Sequence, residues 1–136
     1  MKYAGGCLCG ALRYNSTSAP LEAGYCHCRM CQKLSGAAAL PWVSFSTNSF
    51  SYSDGSPKIY ASSSWGRREF CAECGSQIAF RATESDDTVE INVGTLDDPE
   101  AVTPQYHAWC NSQVSWFDTR DELPRLPESG ESRDSS

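Results

Sequence analysis

The segment YCHCRMCQKLSGAA, Tyr25 to Ala38, packs Cys26, Cys28 and Cys31 into six residues and closes on Ser35-Gly36. Two further knuckles flank it. GGCLCGALRY, Gly5 to Tyr14, carries Cys7 and Cys9, and REFCAECGSQI, Arg68 to Ile78, carries Cys71 and Cys74; of the eight cysteines only Cys110 stands alone. A disulfide framework spreads its half-cystines along the chain, because closing long loops gains most, and three cysteines in six residues cannot all pair locally. Thiolate ligands instead converge on one ion from short knuckles. Counting ligands, Cys7, Cys9, Cys71 and Cys74 make a closed set of four. Cys26, Cys28 and Cys31 make a set of three with one position open, the ligand count of a catalytic zinc. Spacing favours this partition. It leaves open a second one, in which Cys71 and Cys74 complete the central cluster.

The chain opens MKYAGGCLCG, without the basic stretch, long apolar segment and cleavage site of an export signal, so the expectation is a cytoplasmic protein whose thiols stay reduced. At 136 residues it has the size of one domain. Hydrophobic residues are 40% and charged residues 21%, and the longest apolar run, around Ala37 to Val43, is too short to span a bilayer. Eleven Lys and Arg against 17 Asp and Glu, with no basic run, argue against nucleic acid or an anionic membrane as partner. Oligomeric state is not readable.

Between the knuckles the pattern has a period of two. Leu12 and Tyr14 alternate with Arg13 and Asn15, Ile78 and Phe80 with Gln77 and Arg81, and Val89, Ile91 and Val93 with Thr88, Glu90 and Asn92. Further strands are expected at Ala38 to Phe45, Phe50 to Tyr52, Lys58 to Ser62 and Arg67 to Phe70. Turn-forming residues at Ser53 to Pro57, Cys74 to Ser76 and Asp97 to Pro99 separate them. One helical turn, Arg29 to Leu34, should end at Gly36. The expected architecture is mainly β, a compact single-domain zinc-binding fold of short antiparallel strands over residues 1–126. A polar tail, residues 127–136, is expected to be disordered.

Taken together, GGCLCGALRY, YCHCRMCQKLSGAA, REFCAECGSQI, VGTLDDP at Val93 to Pro99, and a closing His107, Trp116 and DELP at Asp121 to Pro124 resemble the glutathione-dependent formaldehyde-activating enzyme family, whose domain also appears in centromere protein V. The resemblance implies a fold like that of the small zinc-binding chaperones of Rab GTPases and two zinc ions per chain. By the same motifs, Cys7, Cys9, Cys71 and Cys74 would hold a structural zinc, and Cys26, Cys28 and Cys31 a catalytic one. It implies carbon-sulfur lyase chemistry, in which the thiol of glutathione or a related adduct meets an aldehyde such as formaldehyde. Two other readings stay open: a non-catalytic zinc-stabilised β domain that binds a protein partner, and an iron-sulfur electron carrier.

Glutathione carries two carboxylates, so its pocket should offer cations, and Arg29, Lys33, Arg67 and Arg68 are the candidates; surface solvation is the plainer role for each. His27, between two ligand cysteines, should point away from the metal, in a supporting or surface role. His107 reads as a packed strand histidine, with proton donation to the hemithioacetal oxygen as the sharper alternative. Cys110 reads as a buried small hydrophobe, or as a fourth ligand of the central site. The four tryptophans, Trp42, Trp65, Trp109 and Trp116, read as core, with a weaker claim for Trp42 or Trp65 at a pocket mouth. Asp97 should organise a turn through backbone N–H groups.

Overall fold

The alternating segments do form strands, and the computed structural model describes residues 2–85 and 87–129. In chain order they are β1 (Ala4–Gly6), β2 (Arg13–Ser16), β3 (Glu22–Cys26), β4 (Leu40–Ser46), β5 (Phe50–Asp54), β6 (Lys58–Ala61), β7 (Gly66–Phe70), β8 (Gln77–Ala82), β9 (Thr88–Asn92) and β10 (His107–Ala108), with one helix, α1 (Arg29–Ser35), between β3 and β4. A three-stranded sheet runs β1-β2-β5. A seven-stranded one runs β10-β3-β4-β9-β8-β7-β6. Every pairing is antiparallel except β10 against β3, where His107 lies opposite Tyr25 and Ala108 opposite Cys26.

The two sheets share one core. Leu12, Tyr14 and Phe50 on the small sheet's side pack with Ala23, Val43, Phe45, Ile78, Val89 and Ile91 of the large one. Each such side chain, fully buried, contributes about 1.5–3 kcal/mol. Gly5 is required here, because a Cβ on it would collide with the Tyr14 ring and the Thr95 carbonyl. A buried carboxylate pins the sheets together: Glu69 of β7 accepts from Tyr52 of β5 at 2.7 Å and from Arg81 of β8 at 2.7 Å. Each carboxylate oxygen thus has a donor, one of them cationic, which is what makes its burial tolerable.

β4 is central and covered on both faces, so Trp42, Val43, Ser44 and Phe45 are all buried and the alternation disappears. Val43 and Phe45 face the shared core. Trp42 faces the opposite way, into a second cluster with Cys26, Cys31, Tyr106 and Ala108. The helix begins where the Cys28 sulfur accepts the Cys31 N–H and ends at Gly36, whose left-handed φ of 71° lets its N–H reach the Gln32 carbonyl.

Three strands lie where no alternation marked them: β1, β3 and β10. Ala38 stands outside β4, and Val93 begins a 3-10 turn instead of continuing β9. β10 is two residues long and is held from outside. The N–H groups of His107, Cys110, Asn111 and Trp109 donate to the carbonyls of Pro124, Leu126, Pro127 and Glu128. The start of the polar tail is therefore hydrogen-bonded at Pro127 and Glu128, while residues 130–136 lie outside the described residues.

Candidate active site and metal centres

Each knuckle is a tight turn that aims its sulfurs inward. Leu12 N–H donates to Cys7 Sγ at 3.2 Å, Cys31 N–H to Cys28 Sγ at 3.3 Å, and Cys74 N–H to Cys71 Sγ at 3.5 Å. Gly10 and Gly75, at φ of 85° and 81°, allow the first and last of these turns. Ser76 ties two knuckles together, meeting the Leu8 N–H at 3.0 Å and Cys74 Sγ at 3.2 Å.

The sulfurs of Cys7, Cys9, Cys71 and Cys74 all lie within 4.8 Å of one another, as do those of Cys26, Cys28 and Cys31. The second partition, with Cys71 and Cys74 at the central cluster, is excluded by this arrangement. A tetrahedron of about 2.3 Å metal-sulfur bonds has edges of about 3.8 Å. Cys7 to Cys9 is 3.6 Å and Cys9 to Cys71 is 3.8 Å. Geometry and softness of the donors thus fit a thiolate-bound metal of the zinc type at the four-sulfur set. The three-sulfur set has the same donor chemistry with one ligand fewer.

Within the central cluster one charge is shared unequally. Hydrogen bonds from Cys26 and Cys31 hold the Cys28 thiol far below its ordinary value, helped by the charge of Arg68, and the same contacts with burial push Cys26 far up.

This cluster forms the floor of a cavity of about 380 Å³. Trp42 and Leu40 of β4, Phe80 of β8, Trp65 and Trp109 make its walls, and none of the four thiols of the other cluster lines it. Arg68 enters from β7: its guanidinium lies 4.4 Å from the Phe80 ring centre, with Nη1 3.9 Å from Cys31 Sγ. Strand alternation sends its neighbour Arg67 elsewhere, to the Ser63 and Gly66 carbonyls. Arg29 and Lys33 border a separate depression beside Trp116, where Arg29 donates to Gln32 at 2.5 Å. Of the four cations named from the sequence, the cavity receives Arg68.

Both histidines lie behind the cluster. His27 is fully buried, so the surface alternative for it is wrong: β10 and the segment after it cover its ring. Its Nε2 is 2.8 Å from Nδ1 of His107, whose own Nε2 lies 3.1 Å from both Asp121 carboxylate oxygens. Tyr25 stacks on His107 at 4.6 Å, and Arg125 donates to Asp121 at 3.1 Å. A carboxylate only accepts, so His107 Nε2 carries the hydrogen, its Nδ1 accepts from His27 Nε2–H, and His27 Nδ1 is left as a lone pair. That atom is buried with no partner among the described residues.

Other expectations change as well. Cys110 is half-buried and borders a different hollow with Arg125, so it neither joins the central sulfurs nor fills the core. Trp65 and Trp116 are exposed, and Asp97 forms a forked ion pair with Arg13 at 2.5 and 2.9 Å instead of capping a turn. Trp109, read as core, is exposed and lines the cavity, while Phe80 and Asp121 were not singled out by residue-level reading. No local pattern marks Trp109, whose place depends on β10 and the segment that clamps it.

Two sulfur clusters on one mainly β domain, one beside the sheet core and one flooring a cavity, define a cysteine-rich protein with two thiol sets that could hold metal ions. Residues 2–112 match the family described as glutathione-dependent formaldehyde-activating enzyme, and the chain belongs to it. An uncharacterized lyase of Schizosaccharomyces pombe is 30% identical over 105 residues, covering 75% of this chain and 74% of that protein. The crystal structure of a Rhodobacter sphaeroides protein shares the fold, with a TM-score of 0.54 at 16% identity over 90% of this chain and 98% of that one. Among the described residues no helix is long and apolar enough to cross a membrane.

Proposed function

We propose that this protein is a zinc-dependent carbon-sulfur lyase, joining or splitting a thiol and an aldehyde in an adduct of glutathione or a related thiol. The observation that carries the reading is the placement of the three-thiol set, with its missing fourth ligand, on the floor of a cavity, while the four-thiol set lies off it. Cys7, Cys9, Cys71 and Cys74 would then hold a structural ion, and Cys26, Cys28 and Cys31 a catalytic one. Zinc held by three thiolates would keep a fourth sulfur in its thiolate form, a nucleophile in one direction and a leaving group in the other.

The chain's own residues do the rest. Arg68 offsets negative charge at the sulfurs and can fork a carboxylate beside them. Trp42, Trp65 and Trp109 wall the cavity and would hold the two reactants together, which is a large share of what such a reaction needs. In the cleaving direction the carbon-sulfur bond breaks with its electron pair on sulfur, and the adduct's hydroxyl loses its proton as the carbonyl forms. That proton passes through solvent to the released thiol. Nothing is oxidised.

The test is exchange spectroscopy by NMR on ¹³C-formaldehyde and glutathione, and on a panel of larger aldehydes. Acceleration of adduct exchange that vanishes in Cys28→Ser is the expected result. No acceleration across the panel, by a protein shown to carry two zinc ions, would sink the lyase reading.

A further inference from the structure

A cavity of about 380 Å³ is far larger than a one-carbon aldehyde requires, and its lining sets the rings of Trp42, Trp65, Trp109 and Phe80 beside Arg68, Glu90 and Asn92. Trp65 is half-exposed and meets the Phe80 ring edge-on at 5.7 Å. Trp109 lines the same cavity and is 39% exposed.

Trp109 holds that place at a conformational cost. Its φ of 61° and ψ of 40° are left-handed, a region that bulky residues avoid. The surrounding backbone enforces it: Trp109 N–H donates to Glu128 at 2.8 Å, and Cys110 N–H to Leu126 at 2.8 Å. A glycine would sit there without strain. Strained residues retained at a cavity wall point to a role for the side chain they present, here an indole facing the site.

Polarity is as specific. Among the described lining residues Arg68 is the only cation. It donates to Ser62 Oγ at 3.3 Å, and otherwise faces weak sulfur acceptors, Met30 Sδ at 3.4 Å and Cys31 Sγ at 3.9 Å. It forms no ion pair among the described residues. Arg29, Lys33 and Arg67 lie off the cavity, so the two carboxylates of glutathione find one matched cation.

Resting on the lyase reading, we infer that the preferred adduct is compact, with one carboxylate near its sulfur for Arg68 and one aromatic or bulky apolar group held among Trp65, Phe80 and Trp109.

The test is binding to the metal-loaded protein, read by tryptophan fluorescence and calorimetry. Four thiols serve as probes: 2-benzyl-3-sulfanylpropanoate, 3-sulfanylpropanoate without the ring, 3-phenylpropane-1-thiol without the carboxylate, and glutathione. The first should bind at least about tenfold tighter than each of the others, roughly the discrimination one well-filled apolar contact or one ion pair provides. Trp109→Gly, which suits the local backbone, should erase the advantage of the ring and leave 3-sulfanylpropanoate unchanged. Arg68→Gln should erase the advantage of the carboxylate, weakening 2-benzyl-3-sulfanylpropanoate at least about tenfold more than 3-phenylpropane-1-thiol.

Equal binding with and without the ring, tighter binding of glutathione, or indifference to Trp109→Gly would overturn the inference. The expected binding pattern without acceleration of adduct exchange keeps this ligand class and removes the lyase reading. Acceleration for glutathione adducts with no preference for the ring does the reverse.

Discussion

His27 stands between two cysteines of the central cluster, yet its imidazole turns away from them into a chain that runs through His107 to Asp121. Period-two alternation put it on the other side of the strand end; only packing decided that this side is buried. His107→Phe fills the same space and leaves His27 Nε2–H unpaired, which should cost about 1–3 kcal/mol in urea unfolding. Asp121 carries a pH signature. Hydrogen bonds from Thr119 and His107 hold its carboxyl below the ordinary 3.8, to about 2. A depressed folded value stabilises above the unfolded value and is lost as pH falls through the folded one. Asp121→Asn should therefore lower the unfolding midpoint near neutrality, and its gap to wild type should narrow as pH drops from about 5 toward 3. A constant gap would mean that Asp121 acts through shape and not charge.

The knuckles are the elements with the most legible sequence, because a metal-binding turn needs cysteine at fixed spacing and a residue tolerant of positive φ beside it. Their pairing was not local: Cys9 and Cys71 are brought within 3.8 Å across 62 residues by the sheets between them. Cys74→Ser should lose one metal ion by elemental analysis and unfold at markedly lower urea, since a structural site's binding energy is folding energy. Cys28→Ser should lose the other ion and keep near-wild-type backbone chemical shifts. A strong chelator should unfold the wild type for the reason that makes Cys74→Ser unstable. Alternation also found β2 and β9, which bury one face of their pattern in the shared core, and β8, where a register shift puts adjacent Ile78 and Ala79 in that core and Phe80 at the cavity. It missed β1, β3 and β10 because strands this short, or covered on both faces, carry no period to read.

At the scale of the whole chain, the segment after residue 112 closes the site although the family match ends there. It supplies Asp121 to the histidine chain and the carbonyls of Pro124, Leu126 and Glu128 that hold β10 and the left-handed Trp109. Deleting residues 113–136 should release these bonds. Hydrogen exchange at the amides of His107, Trp109 and Cys110 should rise by orders of magnitude, while Val43, Val89 and Ile91 in the two-sheet core stay protected. Uniform loss of protection would show that the segment supports the whole fold. From sequence alone came the mainly β class, the helical turn at Arg29, the three cysteine knuckles and the family, because each rests on short-range spacing that chemistry constrains residue by residue. Tertiary structure alone decided which cation reaches the sulfurs, which indoles wall the cavity, and that both histidines are buried. Those depend on contacts between segments 37 to 80 residues apart, such as Arg68 with Cys31 and His27 with His107, and no local pattern encodes such meetings.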